Sequence, residues 1–340
     1  MIFRTYAGDN KFSINTWDRT NDYSIQTRIN HGTPQAYVNI IKGCDKFCSY
    51  CIVPFTRGRE KSRKTVEILK DVSRLVEYSG IQEITLLGQN VNSFGKENGE
   101  SLAQLLYQLG EIKDLKIVRY TTSHPYDVSD ELIEAHGKIE NLSNHLHLPV
   151  QSGSNTVLKR MLREYSVDHY LGLLEKLRSS NPNIVISTDI IAGFPNETQQ
   201  EHQETLDLLE KAKFDFIYSY AFSPRKGTKA ARGSDFLTKE VRGERLREIQ
   251  KFQLDVQQQV RSKLVGKKMT VLVDGVGNMG GVKRWKGRTN CMRIVHFEGS
   301  SDLNYMWNWV DLEITESTAL SCQGKILKNH GRHLVSQILR

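Results

Sequence analysis

No stretch of this sequence stays apolar for anything near the roughly 20 residues that a membrane-crossing helix requires, so no such helix is expected. The opening residues, MIFRTYAGDNKFSIN, have no apolar h-region and no small-residue cleavage site, which argues against a secretory signal and for the cytoplasm. Cysteine is scarce: five in 340 residues, an odd number. A disulfide framework is thereby excluded as the source of stability, and any clustered thiols point to metal or catalysis. Low-complexity tracts are absent, and no repeat of fixed period stands out.

What is present is ordinary globular material, with 38% hydrophobic and 25% charged residues. The length suggests two domains. The net charge of +8 suits a polyanionic partner, although a solvated surface can carry as much. Its placement is informative. Residues 42–64 hold seven Lys or Arg and two acids, a net of +5. Residues 265–340 hold eleven basic and six acidic residues, also +5.

Hydrophobic periodicity predicts a strand at 36–41, a helix at 65–78, a strand at 84–88 and a helix at 101–109. The alternation continues with strands at 116–122, 145–150, 184–191 and 216–223. Helices are expected at 129–136, 154–162, 167–179 and 198–212. Such alternation implies a parallel sheet with helices outside, and at this length a full or partial barrel. In such barrels the chemistry sits at the C-terminal strand ends. A long Arg- and Gln-rich helix is expected over 239–264, read as a solvated face. Beyond it, MTVLVDGV, GRTNCMRIVHF and NWVDLEITES read as short strands of a small all-β barrel. The expected division is a linker at 1–33, a core at 34–235, a connecting helix at 236–265, the β-barrel at 266–330 and a tail at 331–340.

The strongest chemical signal is GCDKFCSYC, which places Cys44, Cys48 and Cys51 directly after the first strand. Thiolates suit zinc or an iron–sulfur cluster. Zinc prefers four ligands, often from paired Cys-x-x-Cys knuckles, and no fourth Cys or His lies at a matching spacing. The spacing therefore reads as a 4Fe–4S cluster with three protein ligands, which leaves one iron open. Cys291 and Cys322, isolated in sequence, read as packing residues. His145 and His147 alternate on a strand and read as satisfied buried histidines. Lys283, Arg284, Trp285, Lys286 and Arg288 read as a basic turn with one aromatic, suited to phosphate contact and base or ribose stacking in RNA.

This cysteine loop resembles that of the radical S-adenosylmethionine (SAM) superfamily. The resemblance implies a partial (β/α)6 TIM-like barrel, one 4Fe–4S cluster on Cys44, Cys48 and Cys51, and SAM chelating the open iron, with Tyr50 near the adenine. NIIKGCDKFCSYCIVPFTRGREKSR, LLGQNVNSFG, TTSHPYDVSDELI, HLPVQSGSNTVLKRM, STDIIAGFPNET and FSPRKGTKAA narrow it to the methylthiotransferase family. The segment GRTNCMRIVHFEG resembles the C-terminal TRAM barrel of that family, an RNA-binding module. TTSHP and VPFTRGRE are similar to the MiaB-type branch, which adds a methylthio group to C2 of isopentenylated adenosine next to the tRNA anticodon.

Carried over by position, the resemblance implies SAM contacts at Gly88, Gln89, Asn90, Gln151, Ser152, Gly193 and Glu197. It also implies tRNA as substrate, flavodoxin or ferredoxin as electron donor, and a monomer. A Gly-x-x-x-Glu such as Gly193 to Glu197 is weak evidence by itself and gains weight only between a strand and a helix. Family members carry a further N-terminal domain with three more cysteines, which hold the sulfur-donating cluster. This sequence shows no such trio, so the expectation is a SAM-cleaving part without the sulfur donor. Two alternatives stay open: a TRAM-bearing RNA-binding protein with a structural cluster, and a sibling enzyme acting on threonylcarbamoyladenosine or a ribosomal protein.

Overall fold

The computed structural model describes residues 28–29, 32–233, 236–279 and 281–331. The linker expected at 1–33 and the tail at 331–340 lie almost wholly outside these residues, as does the side chain of Lys283.

Six parallel strands form the larger unit: β1 (Gln35–Asn39), β2 (Glu83–Leu87), β3 (Ile117–Tyr120), β4 (His145–His147), β5 (Val185–Ala192) and β6 (Phe216–Ala221). β1, β2 and β3 pair in parallel, as do β4, β5 and β6. The two groups meet where Val118 of β3 bridges Leu142, just ahead of β4. The bridge is closed by Val118 N donating to Asn141 O and Ser143 N to Val118 O, both at 2.8 Å. Helices α1 (Thr65–Ser79), α2 (Leu102–Gly110), α3 (Asp130–Lys138), α4 (Val167–Ser180) and α5 (Gln199–Ala212) follow successive strands. The result is a partial (β/α)6 barrel, the form the family resemblance implied and one of the two that the alternation allowed.

The two periodicities explain the layers. Along the strands, Ala36, Val38, Ile84, Leu86, Leu146, Ile186 and Ile190 are buried in the core between sheet and helices, so their alternate neighbours line the barrel lumen. In α1, Ile68, Val72 and Leu75 recur at helical spacing and bury on the same side. Helix starts are fixed by side-chain caps. Ser101 with Gln104 and Thr198 with Glu201 form capping boxes, and Ser129 and Ser166 cap α3 and α4. The strand expected at 145–150 stops at His147. Pro149 has no N–H for the ladder, and Gln151, with φ of 76°, rejoins β5 only through an isolated bridge to Ile190.

Helix α6 (Lys239–Ser262) leads into a closed five-stranded barrel. Its strands are β7 (Lys268–Met279), β8 (Val282–Thr289), β9 (Ile294–Phe297), β10 (Trp309–Ser317) and β11 (Cys322–Gly331), in the order β7-β8-β9-β11-β10. Val271, Val273, Val295, Phe297, Tyr305, Val310, Leu312 and Ile314 fill its own core. The basic turn expected at 283–288 is instead strand β8, paired with β7 from Val271↔Thr289 to Met279↔Val282. The alternation then separates its residues. Trp285 and Gly287 point inward, while Arg284, Lys286 and Arg288 share the outer face.

The small barrel sits against the N-terminal ends of the large-barrel strands. Arg119 donates through Nη2 to Thr289 O at 3.2 Å and through Nε to Glu83 at 2.7 Å. Ser143 Oγ donates to Asn290 O at 2.7 Å, and Trp309 Nε1 to Gln82 Oε1 at 2.7 Å. Asp215, at the foot of β6, is shared by Arg261 of α6 and Arg293 of the small barrel.

Candidate functional site

The cysteine loop leaves β1 at the C-terminal mouth of the barrel, the end where fixed strand ends leave irregular backbone free to carry chemistry. Gly43 N donates to Gln89 Oε1 at 2.6 Å and Cys44 N to Gly58 O at 3.2 Å, which pins the loop's first limb. Its second limb is tied to distant segments. Ser49 N donates to Met161 O at 2.9 Å, Ser49 Oγ to Arg160 O at 2.8 Å, and Ala230 N to Ser49 O at 2.7 Å. Lys46 N lies 3.4 Å from Cys44 Sγ, and Arg163 Nη1 lies 3.3 Å from Cys48 Sγ.

Arg163 is the residue the sequence did not reveal. It is buried, 115 positions from Cys48, and also holds Tyr165 Oη at 2.7 Å and Pro149 O at 2.8 Å. Burial opposes its charge, but Tyr50, Tyr165 and Cys48 around it outweigh burial and hold it protonated. The thiols feel the opposite pressure. Burial pushes Cys44 up to about 12 and also raises Cys51. Thiolates in this loop therefore require a cation beyond Arg163. Among the described residues no three His, Cys, Asp or Glu side chains gather as one metal ion demands. Cys291 and Cys322 lie in the small barrel, Cys322 within its core.

Beside the loop stands a polar cluster in which TTSHPYD takes part. Asp127 accepts from Lys96 at 2.6 Å and from Asn90 Nδ2 at 2.9 Å, and pairs with Lys46 at 3.2 Å. Burial raises the Asp127 carboxyl, yet these three partners hold it below the usual carboxylate range. Lys46 Nζ also lies 4.1 Å from the centre of the Tyr126 ring. The Asp45, Glu60, Ser62, Ser93 and Glu97 side chains join Lys46, Lys96 and Asp127 around a cleft of about 370 Å3.

The residues expected to touch SAM divide into two groups. Tyr50 is half-buried next to Cys51 and meets Phe194 edge-on at 6.5 Å. Asn90 is buried, with Oδ1 lacking a partner. The Gln151 carboxamide bonds to no described residue, and its positive φ marks strain at the end of β4. These three remain open to a ligand. Gln89 is partly committed through Oε1 to Gly43. Gly88 has a packing reason: a Cβ there would stand 2.3 Å from Ile41 Cγ2.

Ser152 faces away from these three. It is fully buried, and its hydroxyl faces Thr205 Oγ1 at 3.4 Å and Ser154 N at 3.2 Å, so it braces the next helix and not the cleft. Glu197 Oε2 accepts from Gly193 N at 2.8 Å and from Arg245 Nη1 at 2.7 Å, which shapes the turn through one of its two carboxylate oxygens. Gly193 sits at φ of 69°, with Arg242 Cγ only 2.5 Å from where a Cβ would be.

On the small barrel, the outward cations already have partners. Arg284 pairs with Glu298 at 2.8 Å, and Arg288 and Lys286 with Asp274 at 2.6 and 3.8 Å. Trp285 packs on Tyr305 at 5.6 Å and on the barrel core. It is half-buried, with its ring against the barrel core.

Comparison with known proteins fits this arrangement. Residues 38–209 match the family model described as the Radical SAM superfamily. A relative from Thermoanaerobacter sp. (strain X514), named tRNA-2-methylthio-N(6)-dimethylallyladenosine synthase, is 45% identical over 296 residues, which is 86% of this chain and 62% of that protein. One of the same name from Syntrophotalea carbinolica is 47% identical over 269 residues, covering 78% and 61%. Among solved structures, the radical S-adenosylmethionine methyltransferase TsrM from Kitasatospora setae aligns over 57% of this chain and 38% of its own, with 13% identity and a TM-score of 0.48. The chain thus spans about 62% of the length of the first of these curated relatives. With a family model matched over residues 38–209 of 340 and a three-thiol loop at the mouth of a partial (β/α)6 barrel, the chain belongs to the radical SAM superfamily.

Proposed function

We propose that this chain is the SAM-cleaving and RNA-engaging part of a tRNA methylthiotransferase that acts at C2 of N6-isopentenylated adenosine beside the anticodon. The observation that carries the substrate is its 45% and 47% identity, over 296 and 269 residues, to relatives bearing the synthase name.

The residues fit the two cofactors of the superfamily. Cys44, Cys48 and Cys51 are the thiol ligands in this reading, and burial makes Cys44 and Cys51 poor thiolates unless iron supplies the charge. Three thiols on four irons leave a position for a chelating molecule. The unpartnered Asn90 Oδ1 and Gln151 carboxamide provide polar contacts for it, and Tyr50 provides an aromatic edge. When bound, the reduced cluster and SAM supply a 5′-deoxyadenosyl radical that abstracts hydrogen.

The chain's own residues do the positioning. Ser49, with its three loop-to-loop bonds, fixes the second limb of the cysteine loop. Arg163 donates toward Cys48 and ties it to the end of β4. Such outer hydrogen bonds tune a metal site nearly as strongly as the ligands do. Lys46, locked on Asp127 and Tyr126, shields the loop's outer side from water. RNA phosphate contacts are assigned to the outward Arg284, Lys286 and Arg288, which exchange their carboxylate partners for phosphate. The reading includes a low-potential flavodoxin or ferredoxin as electron donor, a monomer, and action in the cytoplasm. No helix among the described residues is long and apolar enough to cross a membrane.

The test is anaerobic reconstitution. The chain is expected to take up about four irons and, with dithionite and SAM, to release 5′-deoxyadenosine, whereas Cys48→Ala loses both. A full cluster with no cleavage would overturn the enzymatic reading. Mass analysis of tRNA nucleosides, after the chain is supplied to cells lacking the synthase, tests the substrate.

A further inference from the structure

Below the cysteine loop, the lumen is lined by side chains that neither cofactor accounts for. Strand register arranges them in layers. His147, Ser187 and Phe216 stand level on β4, β5 and β6. Asp189 and Tyr218 form the layer above, and Ile191 and Tyr220 the one nearest the loop, with Gln151 alongside. All lie on the concave side, because their alternates Leu146, Ile186 and Ile190 are in the helix-facing core.

Two features of this wall call for a ligand. Tyr218 and Tyr220 are 49% and 57% exposed although they project into a barrel, and their hydroxyls have no partner among the described residues. At i and i+2 of one strand, they offer two neighbouring aromatic rings on one face. Beneath them runs a fixed polar chain. His145 Nε2 and His147 Nδ1 share Ser187 Oγ at 2.8 and 2.9 Å, and His147 Nε2 faces Asp189 Oδ1 at 3.5 Å. The His147 ring meets Tyr218 edge-on at 5.6 Å. The chain ends at the Asp189 carboxylate, level with Tyr218 in the strand register.

Half-exposed rings with a fixed carboxylate match an unstacked nucleobase. Every base offers a π face, and an exocyclic N–H suits a carboxylate acceptor. An enzyme that works on a ring carbon must also take the base out of its stack. We propose that Tyr218 and Tyr220 form the stacking platform, and Asp189 the hydrogen-bond acceptor, for the base that this chain presents to its radical. His145, Ser187 and His147 are positioning residues that act through Asp189. The inference rests on the tRNA reading above and assigns that reading a seat.

The test is equilibrium binding of two anticodon stem-loop hairpins to the full chain. One carries N6-isopentenyladenosine at the modified position and the other an abasic site there. Tyr218→Ala and Tyr220→Ala should each weaken the first hairpin by about tenfold, the scale of one lost base stack, and leave the abasic hairpin unchanged. Tyr218→Phe and Tyr220→Phe should restore binding, which separates stacking from a folding defect. Asp189→Asn should weaken the base-bearing hairpin alone. Equal loss for both hairpins, or no loss for either, overturns the platform and leaves the tRNA reading intact. Failure of the unaltered chain to bind either hairpin overturns the tRNA reading, and the platform with it.

Discussion

The two ends of the large barrel are built on opposite plans. At the N-terminal floor, each buried charge faces a counter-charge or a carbonyl. Arg119 meets Glu83 and two backbone oxygens of the small barrel, and Asp215 meets Arg261 and Arg293. At the C-terminal mouth, Arg163 reaches Cys48 alone of the three thiols, Asn90 Oδ1 has no partner among the described residues, and Gln151 holds a positive φ. The floor is closed because it joins two domains. The mouth carries the thiol loop, and the buried Asp127 and Arg163 there meet side chains of that loop. Stability and chemistry are therefore separable in this molecule, and substitutions at the two ends should damage different properties.

The sharpest break in that comparison is Asp215→Ala. It leaves Arg261 and Arg293 buried without their carboxylate, for a loss of about 3–5 kcal/mol. Chemical denaturation should show the small barrel and α6 releasing earlier, while iron uptake by the folded fraction stays unchanged. At the mouth, Arg163→Ala should do the reverse. Rates of 5′-deoxyadenosine release should fall by roughly 10–100-fold, the range for outer-shell partners of a metal site. Arg163→Lys should recover only part of this, because an ammonium cannot serve Cys48, Tyr165 and Pro149 together. If both substitutions lowered stability and turnover alike, the two-plan description would fail.

The floor and the mouth also differed in how far the sequence exposed them. The strand–helix alternation was legible because buried residues recur with periods near 2 and 3.6, as at Ala36 and Val38 or Ile68, Val72 and Leu75. The thiol loop was legible because its ligands are local. Arg163 was not, since its partners Cys48 and Pro149 lie far off in sequence and only the fold unites them. The floor contacts were invisible for the same reason. Strand β11 was missed because CQGKILKNHG has two glycines and little beyond Cys322 and Ile326 to mark an apolar face. The segment around Trp285 was read as a turn because of its basic neighbours, whereas it is a strand whose period-2 alternation separates the ring from the cations. TTSHPYD was conspicuous as a motif, but the role of Asp127 required seeing Lys46, Lys96 and Asn90 converge on it.

Acid should weaken the whole barrel, through histidines buried at both ends. Burial lowers His136 to about 4, His145 to about 3 and His124 to about 2, from an ordinary value near 6.5. The unfolded chain therefore binds more protons than the folded one below pH 6.5. Stability is complete above that value and falls as pH drops toward 4, by about 1.4 kcal/mol per pH unit for each proton taken up on unfolding. Denaturation midpoints from pH 8 to 5 check this, and a flat profile would contradict neutral burial. Gly193→Ala should have a smaller effect, costing on the order of 1 kcal/mol through its positive φ and the approach of Arg242. Calorimetric SAM affinity should weaken with it if the turn borders the cofactor.

The smallest effect tests whether the outer face of the small barrel belongs to either plan. Arg284 is paired with Glu298, whose side chain is 70% exposed, so the pair adds little to stability. Arg284→Gln should shift the unfolding midpoint within error. If Arg284 contacts phosphate, the same change should weaken hairpin binding about equally for base-bearing and abasic RNA. It should also lower the slope of log affinity against log salt by about one. That signature differs from the one expected at Tyr218 and Tyr220, where loss follows the base and not the salt. A slope unchanged in Arg284→Gln would remove this strand from the RNA interface and place the contact on the basic loop around the thiols.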